Sequence, residues 1–139
     1  MTTLVYTHRS SLRHETPPGH PERIDRIKAV YSVLESPHFA GALRREAPRA
    51  IEQQLLMAHS PEHVQKIMAV APESGFEYID PDTVMSAHTL EAALRAVGAA
   101  TSAVDAVFRA AGVQLIRLSP FHAYTVPGLV TVLDLADPD

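Results

Sequence analysis

Eight histidines and no cysteine decide what chemistry this chain of 139 residues can attempt. Disulfides, thiolate metal sites and thiol nucleophiles are excluded, so imidazole and carboxylate are the groups left to bind a metal or move a proton. His8, His14 and His20 recur at six-residue steps and suggest a three-histidine metal site. That interval does not put three side chains on one helix face, which argues against such a site. Asp80 and Asp82 flank Pro81 and could form a general-acid pair, although Asp and Pro in this pattern more often build a turn. His122 stands alone after an apolar run, either as a base or as an ordinary solvated or core-edge residue.

The elements that must position these groups follow from hydrophobic spacing. Leu4-Val5-Tyr6 reads as a short strand feeding a polar loop from His8 to His20, where Pro17-Pro18-Gly19 excludes regular structure. From Pro21, a residue suited to a first helical turn, Ile24, Ile27, Tyr31 and Leu34 recur at three- and four-residue steps and predict an amphipathic helix to about Ser36. Residues 51–70 divide into two helical pieces with a break near His59, because Ser60-Pro61 joins an N-cap to an N1 proline. The segment from Pro72 to Met85 reads as an ordered loop rather than a strand, since it holds Gly75, Pro81 and several polar residues.

Ser86 is then expected to cap a long helix whose Leu90, Leu94, Val97, Thr101, Val104 and Phe108 form one core-facing stripe, ending at Gly112. Strands are expected over 113–118 and 129–133. Near-continuous apolar strands among helices predict an α/β fold built on a parallel sheet with helices on both faces.

Residues 8–28, containing His14-Glu15-Thr16 and Gly19-His20-Pro21-Glu22-Arg23, resemble the opening motif of bacterial histone-deacetylase-like amidohydrolases. The resemblance continues in order through His59-Ser60-Pro61-Glu62-His63-Val64, Asp80-Pro81-Asp82-Thr83, Glu91-Ala92-Ala93 and Val104-Asp105-Ala106-Val107. It is clear for residues 3–111 and weak for 112–139, so the chain is expected to be a single, truncated domain of the histone deacetylase and acetylpolyamine amidohydrolase family. The resemblance implies the opening strands and helices of an arginase-like sheet, incomplete, with a sheet edge and apolar helix faces left unpaired.

For function, the resemblance implies zinc-dependent removal of acetyl groups from acetyl-lysine or acetylpolyamines, the metal polarising the amide carbonyl and activating a water. The family holds its zinc with Asp-X-His and a later Asp, whereas here Asp134-Leu135-Ala136 puts alanine in the histidine's place. Its Arg-Pro-Pro-Gly-His-His-Ala motif corresponds to Arg117-Leu118-Ser119-Pro120-Phe121-His122-Ala123, which keeps His122 as the catalytic candidate and replaces the other histidine with Phe121. Asp82, with Asp80 as its alternative, corresponds to a rim aspartate that accepts hydrogen bonds from substrate, and Arg23 to an arginine of the internal channel that could hold departing acetate. Arg23 equally suits a surface ion pair at a helix start. Tyr124 reads as an ordinary loop residue, because the family's carbonyl-polarising tyrosine comes from a later glycine-rich segment.

The chain is therefore expected to bind no zinc by itself and to lack deacetylase activity alone. The competing readings are a non-catalytic module that self-associates or pairs with a homologue through a sheet edge or helix face, and a gene remnant without a stable fold. A net charge of −4 without a basic stripe argues against nucleic-acid binding, and 46% hydrophobic residues are enough for a core. The sequence shows neither a signal-peptide pattern nor a membrane-length apolar run, so no membrane association and a cytoplasmic location are expected.

Overall fold

The computed structural model describes residues 3–110. Strand β1 (Leu4–Thr7) pairs in parallel with β2 (Leu43–Glu46), with Leu4 opposite Leu43 and Thr7 opposite Glu46. A parallel pair needs a long crossover, and here it runs through a 3-10 turn at Arg9–Arg13, the loop that follows, and helix α1 (Ile24–Leu34). The four residues whose spacing predicts this helix, Ile24, Ile27, Tyr31 and Leu34, are its four half-covered residues, and the other seven are exposed.

Helix α1 begins at Ile24 and not at Pro21, for a local reason. The Glu22 N–H donates to His20 Nδ1 (3.1 Å) and the Glu22 carbonyl accepts from the Thr16 hydroxyl, so that peptide is already committed to the preceding loop. Strand β2, for which the sequence analysis gives no element, carries Leu-Arg-Arg-Glu without alternation and is exposed along its length. The pairing is closed at its two ends, where the Leu43 N–H donates to the Thr3 carbonyl and the Ala47 N–H to the Thr7 carbonyl, both at 2.9 Å.

The break near His59 is present, between α2 (Glu52–Leu55) and α3 (Pro61–Val70). Ser60 caps α3 by accepting from the His63 N–H, with Pro61 in the first turn.

The segment expected to be an ordered loop is instead an antiparallel hairpin, β3 (Phe76–Asp80) and β4 (Thr83–Ser86), with an irregularity between Tyr78 and Asp80. Pro81 falls in the two-residue turn, where its missing N–H costs no ladder bond, and Gly75 takes φ +68° just before β3. Both breakers therefore bound the strands and do not interrupt them. Ser86 ends β4 and does not cap the next helix, α4 (Thr89–Ala110). The expected strands 113–118 and 129–133 and the stop at Gly112 lie outside the described residues. The described strands form one parallel and one antiparallel pair, so the sheet structure is mixed where a parallel sheet was expected.

Among the described residues the buried apolar ones are Ala47, Ala50, Val64, Val84, Met85 and Leu94. They collect around α4, which packs on β1, the 3-10 turn, α2 and β4. Of the predicted stripe only Leu94 is fully buried, at 2% exposure, while Val104 is 45% exposed. The stripe is thus core at its middle and open toward its end.

Gly98, absent from the predicted stripe, is the second buried residue of α4. A Cβ there would stand 1.9 Å from the Pro48 carbonyl oxygen and 3.2 Å from the Ala50 nitrogen. This close approach lets the Ala50 N–H reach the Leu94 carbonyl at 3.0 Å and the Arg95 guanidinium reach the Ala47 carbonyl at 2.9 Å. Both bonds tie α4 to the end of β2.

Two outcomes follow from this packing. Gly98→Ala gains about 1 kcal/mol of helix propensity but must displace backbone, so a net loss of about 2 kcal/mol or more is expected. Gly41→Ala, where a Cβ meets nothing within 4 Å, is expected to leave the urea midpoint unchanged. Glu91 accepts from Arg95 (2.8 Å) and Arg49 (2.9 Å), and the Arg95 hydrogen bond followed by that from Arg49 holds its carboxyl below the usual range. A depressed folded-state pKa contributes stability that is present above the unfolded value and is lost as pH falls through the folded one. Glu91 is 39% exposed, so solvent screens the effect. Glu91→Gln is expected to melt below wild type at pH 7 and together with it near pH 3, which thermal melts at the two pH values will measure.

Candidate functional site

The loop after β1 carries the His-Glu-Thr and His-Pro-Glu-Arg residues, and tertiary contacts hold it in shape. His14 Nδ1 meets the Thr89 hydroxyl at 2.7 Å, and that same oxygen accepts from the Ser86 N–H at 2.7 Å and lies 3.1 Å from Ser86 Oγ. Ser86 Oγ in turn accepts from the Glu15 N–H at 3.1 Å. One consistent polarity runs from the Glu15 N–H to the Ser86 hydroxyl, then to the Thr89 hydroxyl and on to His14 Nδ1. In that polarity the His14 Nε2–H faces Glu22, 3.7 Å away. Beside it Arg13 donates to His88 Nε2 at 2.7 Å, so three consecutive loop residues are anchored on the junction of β4 and α4.

The three histidines do not meet. His8 Nδ1 accepts from the Ser10 N–H and its Nε2 lies 3.3 Å from Glu46, His14 serves the Thr89 network, and His20 Nδ1 accepts from the Glu22 N–H. Each has its own structural partner, that of His14 lying 75 positions away. Among the described residues no group of three or more His, Asp or Glu side chains could hold a metal ion. His8, His14 and His20 therefore do not fit the three-ligand zinc centre that the resemblance implies.

Arg23 is exposed at the N-cap of α1, with its own backbone extended and no side-chain capping bond. It lines a half-open cleft of about 330 Å³ with His14, Glu22, Arg26 and Ile27. No ion pair among the described residues involves it.

Asp82 is exposed in the turn of the hairpin. The turn separates the two candidate carboxylates, because Asp80 Oδ1 accepts the Asp82 N–H at 2.9 Å. That bond, followed by one from the Thr83 side chain, holds the Asp80 carboxyl below its usual range. Asp80 is the turn former, and the Asp82 carboxylate is left to face solvent.

Asp82 is not among the residues lining the Arg23 cleft. The two positions are nevertheless joined, because β4 runs from the Asp82 turn to Ser86, and Ser86 and Thr89 hold the His14 loop that leads to Arg23. His122 lies outside the described residues. The residue missed by sequence reading is Thr89, whose hydroxyl is the hub of this network 75 positions from its partner His14. The local signal for it is a serine and a threonine three residues apart, of which the sequence analysis uses only Ser86, as a helix cap.

Comparison with known proteins agrees with this architecture. A family model described as the histone deacetylase domain matches residues 20–125, a stretch that contains Arg23, Asp82 and His122. An uncharacterized protein of Synechocystis sp. is 32% identical over 135 residues, which cover 93% of this chain and 44% of that protein. Histone deacetylase 8 of Arabidopsis thaliana is 30% identical over 124 residues, 73% of this chain and 31% of that one. The crystal structure of the HDA15 HD domain superimposes with a TM-score of 0.71 at 26% identity, over 79% of this chain and 33% of that domain.

The fold is thus the α/β arginase and deacetylase type, with mixed strand pairing and flanking helices. The chain belongs to the histone deacetylase family. It spans less than half the length of these relatives. No helix among the described residues is long and apolar enough to cross a membrane.

Removing the hub tests the anchorage. Thr89→Ala strands the Ser86 N–H and one nitrogen of His14, at a cost of about 1–2 kcal/mol. Hydrogen exchange of the 14–20 amides is expected to accelerate in this variant, while that of the β1–β2 pair stays as in wild type.

Proposed function

We propose that this chain supplies the opening strands, helices and rim turn of a deacetylase-type amidohydrolase, whose substrates are acetyl-lysine or acetylpolyamine amides, and has no zinc-dependent turnover of its own. The donor set carries this reading. The described residues offer no metal cluster, and beyond them Ala136 follows Asp134 and Leu135 where the resemblance places a zinc-binding histidine. No step is therefore routed through a metal.

Within that reading Asp82 is the rim carboxylate that accepts hydrogen bonds from the substrate's backbone or amine side. Its support is the division of labour in the turn, since Asp80 is committed to the Asp82 N–H. Arg23 is the arginine that would hold a departing acetate, supported by its place beside Arg26 and His14 in one cleft. His122 would be the surviving half of a proton-transfer pair, with Phe121 standing in the other position.

A second reading, association without chemistry, is favoured by exposed apolar surface on two elements. Val30 and Val33 of α1 are 52% and 57% exposed, and Leu4 and Leu43 remain open on the β1–β2 pair.

One preparation tests both readings. Purified chain supplied with zinc is expected to give no release of acetate from an acetyl-lysine reporter, and turnover that a chelator abolishes would refute the first reading. Sedimentation of the same sample distinguishes the second, which predicts a dimer or a complex with an intact homologue and fails on a well-dispersed monomer.

A further inference from the structure

Among the histidines of the described residues, His59 and His63 are arranged unlike the rest. His8, His14, His20 and His88 each have a ring nitrogen engaged by a neighbour, and His38 packs edge-on against Phe39. His59 and His63 are both exposed, and their ring centroids lie 5.0 Å apart with the planes tilted by 31°. No hydrogen bond or ion pair among the described residues reaches a ring nitrogen of either.

Their backbones are fixed from two sides. The His59 N–H donates to the Leu55 carbonyl at 3.0 Å, which closes the turn after α2, and the His63 N–H donates to the Ser60 hydroxyl at 3.2 Å in the first turn of α3. Pro61 stiffens the link between them. With the two backbones fixed, only side-chain rotation remains to be lost when the imidazoles share a ligand.

We propose that His59 and His63 form a two-histidine chelate for a late first-row divalent cation such as Zn²⁺, on the surface where α2 meets α3. Imidazole nitrogen binds such ions at about 2.0–2.1 Å. With the ring centre about 1.2 Å behind each nitrogen, two rings on one ion stand roughly 4.6 Å apart for a right-angle arrangement and roughly 5.3 Å apart for a tetrahedral one. The observed 5.0 Å lies between the two values. Both side chains are exposed, so rotation about the Cβ–Cγ bonds can turn one nitrogen of each ring toward the shared ion. Water fills the remaining coordination positions. The preference is for borderline metals over Mg²⁺ or Ca²⁺, which take oxygen ligands. This site is separate from the loop, cleft and rim turn described above and does not depend on the deacetylase reading.

The test is a titration of the full chain, without an affinity tag and stripped with chelator, with zinc chloride alone, following the histidine ring nitrogens by long-range ¹H–¹⁵N NMR. His59 and His63 are expected to move together and saturate at one ion per chain, with magnesium chloride leaving them unmoved. His59→Gln is expected to weaken the response of His63 at least tenfold, His63→Gln to do the same for His59, and His38→Gln to change neither. Both rings are exposed, and an unchanged amide spectrum in the variants confirms that the fold is kept. The proposal is overturned if the two rings respond independently or not at all. It is also overturned if zinc binds undiminished in the double variant, or first moves His122 while His59 and His63 stay still.

Discussion

A close backbone approach is the constraint on which the packing around helix α4 depends. Helix α4 meets the 47–50 segment at Gly98 with no room for a methyl group. Because the chains come that near, the Leu94 carbonyl and the Arg95 guanidinium reach peptide groups at the end of β2, and Glu91 collects Arg95 and Arg49 on the helix's outer edge. Among the described residues, half of the buried apolar ones, Ala47, Ala50 and Leu94, belong to this contact. A larger residue at position 98 would push α4 off β2 and loosen the polar bonds with it.

The same helix anchors the candidate site through its first residue. Its first residue, Thr89, binds the end of the hairpin and the loop after β1, so the two regions that the family resemblance singles out share one anchor. Loop shape here comes from hydroxyl and imidazole hydrogen bonds rather than from apolar burial. Such bonds are directional, and they hold a polar, exposed loop in one conformation at little cost in buried area. The hairpin is the stiff lever between them, with Val84 and Met85 buried on the body of the protein and Asp82 presented at the tip.

Legibility varied with the range of the interactions involved. The face of α1, the cap and proline that start α3, and the existence of the long helix were readable because each rests on residues within four positions of one another. The hairpin was misread because Gly75 and Pro81 look like breakers until it is seen that both sit at strand ends. Strand β2 was missed because Leu-Arg-Arg-Glu carries no period-two pattern, its place being set by pairing with β1. At the site, residue types were legible and pairings were not. Asp80 and Asp82 look alike in sequence, and only the turn assigns one of them to the backbone.

What the sequence determined by itself was the family, the helices with strong local periodicity and the inventory of donors, including alanine at position 136 and phenylalanine at 121. These depend on residue identity and order along the chain, which no folding event changes. The tertiary structure decided which histidines serve the loop and which two have ring centroids 5.0 Å apart, which aspartate stays free, and why a glycine is required at position 98. Those outcomes depend on separations of a few ångströms between segments up to 75 positions apart, and such separations exist only once the chain has closed on itself.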